Sequence, residues 1–250
     1  MHPLTSSEDL LSSVDKPLKV QRCQETGKNY LTCDYNRDGD SFRSPWSNKY
    51  YPSIEDEAEA PHPSKVLRQL EQYANDSFDI YRDLYYEGGI SSVYLWDQDT
   101  DVDESGSVEF AGVVLLKKEI DANTKDAGSW DSIHVFEVVP GSGKSAAYKI
   151  TSTVILDLST EDNSDNSIYL SGNLTRQTEK SQTYTDSNSH ISSIGSMVEE
   201  IESKLRNMLQ EVYFGKTRDI LGDLRSTQDI EVTKSERNRQ QEVVKGIQGL

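Results

Sequence analysis

Apolar residues recur with the period of an α-helix between two clear boundary signals near the middle of the chain. Ser64 follows Pro63 and is a good N-cap, and Gly88 and Gly89 end the pattern. The spacing predicts an amphipathic helix between these signals. Its stripe comprises Val66, Leu67, Leu70, Tyr73, Ala74, Ile80, Tyr81 and Leu84, with Phe78 at its margin.

After Gly89 the pattern changes to one typical of β-strands. Five segments are rich in β-branched and aromatic residues, and turn-forming or acidic loops separate them. These segments are residues 91–97, 108–118, 130–139, 146–158 and 167–179. Short connections between sequential strands favour an antiparallel five-stranded meander over parallel crossovers.

A second helical stripe follows the strands and is the strongest periodic signal in the chain. It predicts a long helix over residues 189–213 that covers one face of the sheet. Strands followed by a helix, rather than alternating with helices, indicate an α+β fold. The stripe comprises Ile191, Ile194, Met197, Val198, Ile201, Leu205, Met208, Leu209 and Val212.

The two ends of the chain show weaker patterns. Residues 7–14 are expected to form a short N-terminal helix, and residues 15–63 are expected to be irregular. We interpret residues 1–225 as a single body and residues 226–250 as a separate C-terminal tail.

One loop holds many directional polar side chains, which must be satisfied by the chain's own helices or by a second subunit. These residues are Arg37, Asp38, Asp40, Arg43, Trp46, Asn48 and Tyr50.

The net charge of −17 changes the range of partners to expect. It argues against binding to duplex nucleic acid and against broad binding to anionic membranes, since both require a basic surface. The residues from Lys216 onward include seven basic and six acidic ones, a net charge of +1, which leaves −18 on residues 1–215. No run of apolar residues is long enough to span a bilayer, and Cys23 and Cys33 are expected to be free thiols. We therefore expect a soluble, cytoplasmic protein.

The last residues of the tail carry a narrow apolar stripe on an otherwise polar segment. Val243, Val244, Ile247 and Leu250 lie at helical spacing, while Gly246 costs a helix about 1 kcal/mol relative to alanine. Such a segment is expected to be ordered only when it lies in a groove of a partner. The alternative is a frayed terminus.

Two ligand-binding motifs are incomplete. Residues 34–40 resemble the first half of a calcium-binding EF-hand loop, but Pro45 stands where a bidentate glutamate is needed. Residues 143–145 resemble the end of a phosphate-binding loop, but a strand pattern follows where a helix is needed. We expect a turn-rich structural loop at the first site and a hairpin turn at the second.

No catalytic site, metal site or cofactor site is evident. His134 is the one histidine within a predicted strand, and no nucleophile motif accompanies it. A structural histidine with satisfied hydrogen bonds is the better interpretation. The sequence therefore indicates a binding protein rather than an enzyme, with no cofactor.

Several segments together resemble one protein family. In chain order they are residues 9–15 (DLLSSVD), 33–38 (CDYNRD), 42–48 (FRSPWSN), 81–89 (YRDLYYEGG), 91–97 (SSVYLWD), 130–135 (WDSIHV), 174–180 (LTRQTEK) and 213–217 (YFGKT). In this order they are similar to the beta subunit of the F-actin capping protein, over roughly residues 7–250.

The resemblance implies an architecture and an activity. It implies N-terminal helices, a sheet shared with a similar alpha subunit in a heterodimer, and a mobile amphipathic C-terminal tail. It also implies that the dimer caps the barbed, fast-growing ends of actin filaments and blocks both addition and loss of subunits. A non-enzymatic scaffold for a partner other than actin is the alternative, and a calcium sensor ranks below it.

The resemblance also suggests roles for individual residues. Arg225 matches a basic position at the start of the family's tail, and Val243, Val244 and Ile247 match apolar tail positions, with Leu250 on the same stripe. Arg206 matches a position associated with inhibition by phosphoinositides, and its neighbour Lys204 is a candidate for the same role.

Overall fold

The computed structural model describes residues 17–55, 60–98, 109–120, 126–161, 167–215 and 218. The chain divides into two compact units, Met1–Leu205 and Arg206–Leu250. In the second unit, the described residues are 206–215 and 218. The division into residues 1–225 and 226–250 remains a prediction. The predicted N-terminal helix at residues 7–14 lies outside the described residues.

The strands and helices follow the order expected for an α+β fold. Five short strands come first: β1 (Lys19–Arg22), β2 (Asn29–Thr32), β3 (Arg37–Asp38), β4 (Ser41–Arg43) and β5 (Tyr50–Tyr51). The remaining elements are α1 (Lys65–Tyr85), β6 (Ile90–Asp97), β7 (Phe110–Ile120), β8 (Asp126–Pro140), β9 (Ser145–Glu161), β10 (Ser167–Thr183) and α2 (Ser187–Leu209). A single 3₁₀ turn spans Asp34–Asn36, and a π-helical turn, Gln210–Gly215, follows α2.

The five long strands form one antiparallel meander in the order β10-β9-β8-β7-β6, which confirms the predicted topology. Val113 of β7 lies opposite Val135 of β8, and Val154 of β9 lies opposite Leu174 of β10. Strands β8 to β10 are longer than the sequence pattern predicted. Their added residues are mostly polar, so they carry little of the apolar alternation that marks a strand.

The expectation that residues 15–63 are irregular was wrong. Strands β1 and β2 form a hairpin, and β3, β4 and β5 form a three-stranded sheet. Gly27 supports the tight β1–β2 turn with a φ of +71°. Strands of two to four residues are too short to show a recognisable alternation of apolar and polar positions.

Each face of the large sheet has its own apolar layer. One face carries a buried cluster that includes Leu18, Leu31, Tyr94, Val113, Leu115, Ile133 and Val135. Helix α2 crosses the other face, where the His190 ring meets Phe110 edge-on and lies tilted against Tyr148. The buried residues of α2 include Ile191, Ile194, Met197, Val198, Ile201 and Leu205, as its predicted stripe required. Val212, assigned to the same stripe, is instead exposed in the π-helical turn.

The stripe predicted for α1 was partly wrong. Leu67, Leu70, Ala74 and Phe78 are buried as expected. The exposed members of the predicted stripe are Val66, Tyr73, Ile80 and Leu84. Glu71 and Asn75 occupy buried positions instead. The helix is apolar on two sides, and periodicity alone does not reveal which side faces the sheet.

Candidate functional site

The outer edge of β6 is closed by side chains of α1. The Asn75 amide accepts a hydrogen bond from the backbone nitrogen of Val93 at 2.9 Å and donates one to its carbonyl oxygen at 2.9 Å. Glu71 Oε2 accepts another from the backbone nitrogen of Leu95 at 2.8 Å. These bonds replace those of a neighbouring strand. The sheet therefore cannot be extended past β6.

Glu71 also holds the polar loop against α1. Arg43 donates two parallel hydrogen bonds to its carboxylate, both at 2.8 Å, and Arg68 makes a further contact with Glu71 Oε1. Burial favours a lower pKa for Arg43, but the hydrogen bond and charge of Glu71 outweigh it and raise that pKa. Asn48 accepts from Arg43 at 2.7 Å. The expectation that this loop satisfies its polar groups against the chain's own helices is confirmed for Arg43, whereas the Asn48 side chain is paired with Arg43 within the loop.

The opposite edge of the sheet is formed by β10. All 17 residues of β10 pair with β9, from Ser167 opposite Glu161 to Thr183 opposite Ser145. Within the described part of the chain, no strand pairs with its other side. Every second backbone N–H and C=O of β10 therefore points away from the sheet. A long edge strand without proline is a template for pairing with another chain.

A small charged cluster lies where β10 and α2 meet. Glu200 of α2 contacts Lys180 of β10, and its Oε1 lies 2.7 Å from Nζ of Lys204. Hydrogen bonds from Lys180 and Lys204, together with their charges, lower the pKa of Glu200 to about 2. The Lys204 ammonium is therefore paired with the carboxylate of Glu200, which also contacts Lys180. Arg206 lies two positions further along the helix, and residues at that spacing do not face each other.

The tail residues with predicted roles in actin binding lie outside the described residues. These are Arg225, Val243, Val244, Ile247 and Leu250. Their roles, and those of Arg206 and Lys204, remain predictions.

A buried polar network joins both long helices to the sheet. His134 Nδ1 lies 2.7 Å from Ser152 Oγ, and His134 Nε2 lies 3.1 Å from Glu202 Oε1 on α2. Tyr81 of α1 donates to the other carboxylate oxygen of Glu202 at 2.7 Å. Because a carboxylate only accepts, Nε2 of His134 carries a proton. The prediction of a satisfied structural histidine is confirmed.

The Ser152–His134–Glu202 order of contacts has the connectivity of a hydrolytic triad, but its setting is structural. Ser152 and His134 are both fully buried, and Glu202 is almost so. A nucleophile must contact its substrate, and these side chains have no exposed surface for that. The network therefore clamps α1 and α2 to the sheet.

The clamp predicts a specific dependence of stability on pH. Burial favours a higher pKa for Glu202, but hydrogen bonds from His134, Tyr86 and Tyr81 and the charge of His134 outweigh it and lower that pKa to about 2. A lowered carboxylate pKa stabilises the fold above the unfolded-state value, near pH 4.5, and this contribution is lost as pH falls towards 2. Glu202→Gln is expected to cost about 2 kcal/mol of unfolding free energy at pH 7, with a smaller difference at acidic pH.

Urea unfolding at a series of pH values measures this effect. Glu87→Gln is the matched control, since Glu87 is an exposed glutamate just beyond the end of α1. A Glu202→Gln variant as stable as the parent chain at pH 7 would contradict the clamp.

The two incomplete ligand motifs have structural roles. The carboxylates of Asp34 and Asp40 lie on either side of the Arg37 guanidinium, at 3.9 and 3.8 Å. Asn36 caps the backbone nitrogen of Cys33 at 2.9 Å, as expected of a structural loop. The predicted hairpin at residues 141–143 is confirmed, with Gly141 donating to the carbonyl oxygen of Ser145 at 2.7 Å. Both cysteines are free thiols, as predicted.

Sequence reasoning missed the polar residues that organise these contacts. Glu71, Asn75 and Glu202 each lie within a helical stripe whose neighbours are apolar. A charged or amide side chain at a core position is itself a signal, because such a group requires a buried partner. The helices of the described ranges include none that is long and apolar enough to cross a membrane.

Comparison with known proteins finds close relatives along nearly the whole chain. A family model described as "F-actin capping protein, beta subunit" matches residues 3–221. An F-actin-capping protein subunit beta of Yarrowia lipolytica is 59% identical over 242 residues, which cover 97% of this chain and 86% of the relative. The corresponding subunit of Debaryomyces hansenii is 54% identical over 258 residues, covering 98% and 85%.

A solved structure shares the fold at much lower identity. It is described as a homodimeric actin capping protein alpha subunit from Plasmodium berghei. The two chains are 19% identical, with a TM-score of 0.56, and the match covers 89% of this chain and 82% of the other. This likeness concerns the arrangement of strands and helices.

Proposed function

The chain belongs to the family of F-actin capping protein beta subunits, and we propose that it is the beta subunit of a heterodimer that caps the barbed ends of actin filaments. It acts by binding rather than by catalysis, in the cytoplasm and at the actin cytoskeleton. The capping dimer blocks both addition and loss of actin subunits.

The observation that carries this proposal is the difference between the two edges of the sheet. Side chains of α1 occupy the edge of β6, whereas no strand of the described ranges pairs with the outer side of β10, where alternate backbone groups point away from β9. A partner strand antiparallel or parallel to β10 satisfies those groups and extends the sheet. The proposed partner is the capping protein alpha subunit, with a sheet of similar construction.

The tail of this chain is the proposed contact with actin. Residues 1–215 carry −18, whereas those from Lys216 onward carry +1. The acidic body is a poor face for an acidic filament, so the tail supplies the contact, with Arg225 at its start. Val243, Val244, Ile247 and Leu250 lie in an apolar cleft of the terminal actin subunit as a helix in a groove. The tail of the alpha subunit adds to this contact by raising the effective concentration.

Regulation by phosphoinositides is proposed to act through Arg206, with Lys204 as a neighbour. The shared carboxylate of Glu200 reduces the positive potential at Lys204. Arg206 is the first candidate for a phosphate contact because the family resemblance points to it and because a guanidinium binds phosphate through two parallel hydrogen bonds.

Hydrogen exchange is expected to reveal the paired edge in the heterodimer. Amides that face β9 are protected in any state, and the alternate amides of β10 become protected only when a partner strand pairs with them. In the heterodimer with an alpha subunit, consecutive amides of Ser167–Thr183 are therefore all expected to be protected. Those that face away from β9 are expected to exchange at least about 100-fold more slowly than the outward-facing amides of an unpaired edge strand.

Amide-resolved exchange of the purified heterodimer makes the measurement. Strand β7, which has neighbours on both sides in this chain alone, is the internal control. Alternating fast and slow amides along β10 in the heterodimer would place the interface elsewhere.

Seeded actin elongation tests the function itself. The heterodimer is expected to stop growth at the barbed ends of the seeds, and a heterodimer without residues 240–250 is expected to do so less well. A stable heterodimer that leaves elongation unchanged would instead favour a scaffold for another partner.

A further inference from the structure

The side of α1 that faces away from the sheet carries an exposed apolar ridge. Val66 is 62% exposed, Tyr73 42%, Ile80 64% and Leu84 73%. These four residues, here called the α1 ridge, are separated by seven, seven and four positions, so they lie in line along the helix. Large apolar side chains scattered singly are normal on a surface, but an aligned set on one helix face marks an interaction site.

A groove runs beside the α1 ridge, between α1 and the first half of α2. Its volume is about 330 Å³, and Ser77, Phe78 and Tyr81 line it from α1. Ser192, Gly195 and Ser196 line it from α2. Apart from its chain neighbours and the nearby backbone of α2 itself, no atom lies within 4 Å of the position that a Cβ on Gly195 would occupy. Small residues on this side allow another backbone to approach closely.

Exposed carboxylates border the α1 ridge and the groove on both sides. Asp76 and Asp83 are exposed and lie seven positions apart, so they share the side of the ridge that is turned away from the groove. Glu199 of α2 is exposed across the groove, where it accepts a hydrogen bond from Tyr85. The apolar surface therefore lies between two acidic borders.

The cations that approach these borders offset only part of the negative charge. Arg82 pairs with Asp79 and Asp83, and the Lys28 ammonium lies 3.7 Å from the carboxylate of Asp79. Three aspartates of α1 (Asp76 included) and Glu199 are set against these two cations and the exposed Lys65 at the start of α1, which leaves a net charge of −1. This face of the protein therefore keeps a net negative charge around its apolar ridge.

We propose that the α1 ridge and the adjoining groove form a docking site for a basic amphipathic helix of another protein. The aliphatic face of that helix packs on Tyr73, Ile80 and Leu84. Its lysines and arginines face Asp76 on one border and Glu199 on the other. An apolar stripe between two negative borders favours a partner helix whose own apolar stripe lies between positively charged residues. Charge repulsion disfavours helices with acidic residues in those places.

The site is distinct from the proposed interface with the alpha subunit. Helix α1 closes the β6 edge, and four inter-strand spacings, about 19 Å, separate β6 from β10. A partner that pairs with β10 extends the sheet in the opposite direction. The heterodimer is therefore expected to keep the α1 ridge available for a third protein.

A synthetic peptide tests the site on the intact heterodimer. The probe is a helical peptide with leucines at i, i+4, i+7 and i+11 and lysines on both sides of that stripe. A matched probe has glutamates in place of the lysines. Binding of each fluorescently labelled peptide is measured by anisotropy at physiological salt, where non-specific attraction to the acidic protein is screened.

Two kinds of variant separate specific docking from general attraction to negative charge. Ile80→Ser with Leu84→Ser leaves the net charge unchanged and is expected to weaken binding of the basic peptide at least about tenfold. Val139→Ser, at an exposed valine of β8, is the matched control and is expected to have no effect. Asp76→Lys is expected to weaken the basic peptide and to strengthen the acidic one. Equal binding by the parent and the double-serine variant would overturn the proposal, as would the absence of binding.

A photo-reactive benzophenone amino acid in place of Tyr73 identifies the occupant directly. Cross-linking to the basic peptide supports the proposal. Cross-linking, in the presence of the peptide, to residues 1–16 of the same chain or to a second copy would overturn it, because the ridge would then already have an occupant.

Discussion

Replacing Glu71 with alanine is expected to lower the free energy of unfolding by about 3–5 kcal/mol, because the change leaves a buried guanidinium without its counter-charge. Arg43 is 3% exposed and gives Glu71 both of its parallel hydrogen bonds. The backbone nitrogen of Leu95 loses its acceptor at the same time. For a chain of this length, each 1 kcal/mol corresponds to about 2–4 °C in Tm, so a fall of about 10 °C is expected.

Denaturant unfolding of the heterodimer provides the measurement, and two variants sharpen it. Gln72 is the neighbour of Glu71, is exposed and has a side chain of the same length. Gln72→Ala is expected to lower the free energy of unfolding by less than about 0.5 kcal/mol. Glu71→Gln retains an acceptor for Leu95 but removes the charge, so its cost is expected to lie between the other two. A Glu71→Ala variant within about 1 kcal/mol of the parent would show that Arg43 finds another partner or water.

Replacing Val243, Val244 and Ile247 together with aspartate is expected to weaken barbed-end capping by about two to three orders of magnitude. Each aliphatic side chain buried in a cleft contributes roughly 1.5 kcal/mol before ordering costs. Three of them account for about 4.5 kcal/mol before ordering costs, and a factor of ten in affinity corresponds to about 1.4 kcal/mol. The dimer itself is expected to form normally, since the proposed interface is β10.

The control for this triple variant must carry the same added charge. Gln240, Gln241 and Gln248 belong to the same tail and are polar, so their replacement by aspartate adds three negative charges without removing apolar surface. Seeded elongation is expected to remain blocked by this control at concentrations where the apolar triple variant fails. Equal loss in both variants would mean that charge, and not an apolar groove, governs the contact.

The order of elements was predictable because each follows from a local pattern. The alternation in the five strands, the Ser64 start signal and the Gly88–Gly89 stop signal depend on residues close in sequence. The hairpin at residues 141–143 was predictable for the same reason, since Gly143 adopts a positive φ of +68° in the turn. The stripe of α2 was predictable because only one side of that helix is apolar.

The candidate site was predictable only in part. The resemblance of many short motifs pointed to the family, and the family relationship is shown. Arg225 and the tail stripe lie outside the described residues, so their roles remain predictions. The roles of Arg206 and Lys204 remain predictions as well.

By itself, the sequence determined the α+β order of elements, the antiparallel meander, the acidic body and the family, since these depend on local pattern, composition and motif. Only the tertiary structure decided which side of α1 is buried, because a helix with two apolar sides offers two solutions. It also decided that Asn75 and Glu71 close the β6 edge while no strand of the described residues pairs with the outer side of β10. It likewise decided that Glu202 contacts His134 across 68 positions of sequence. Those pairings join residues far apart in the chain, and no local pattern specifies them.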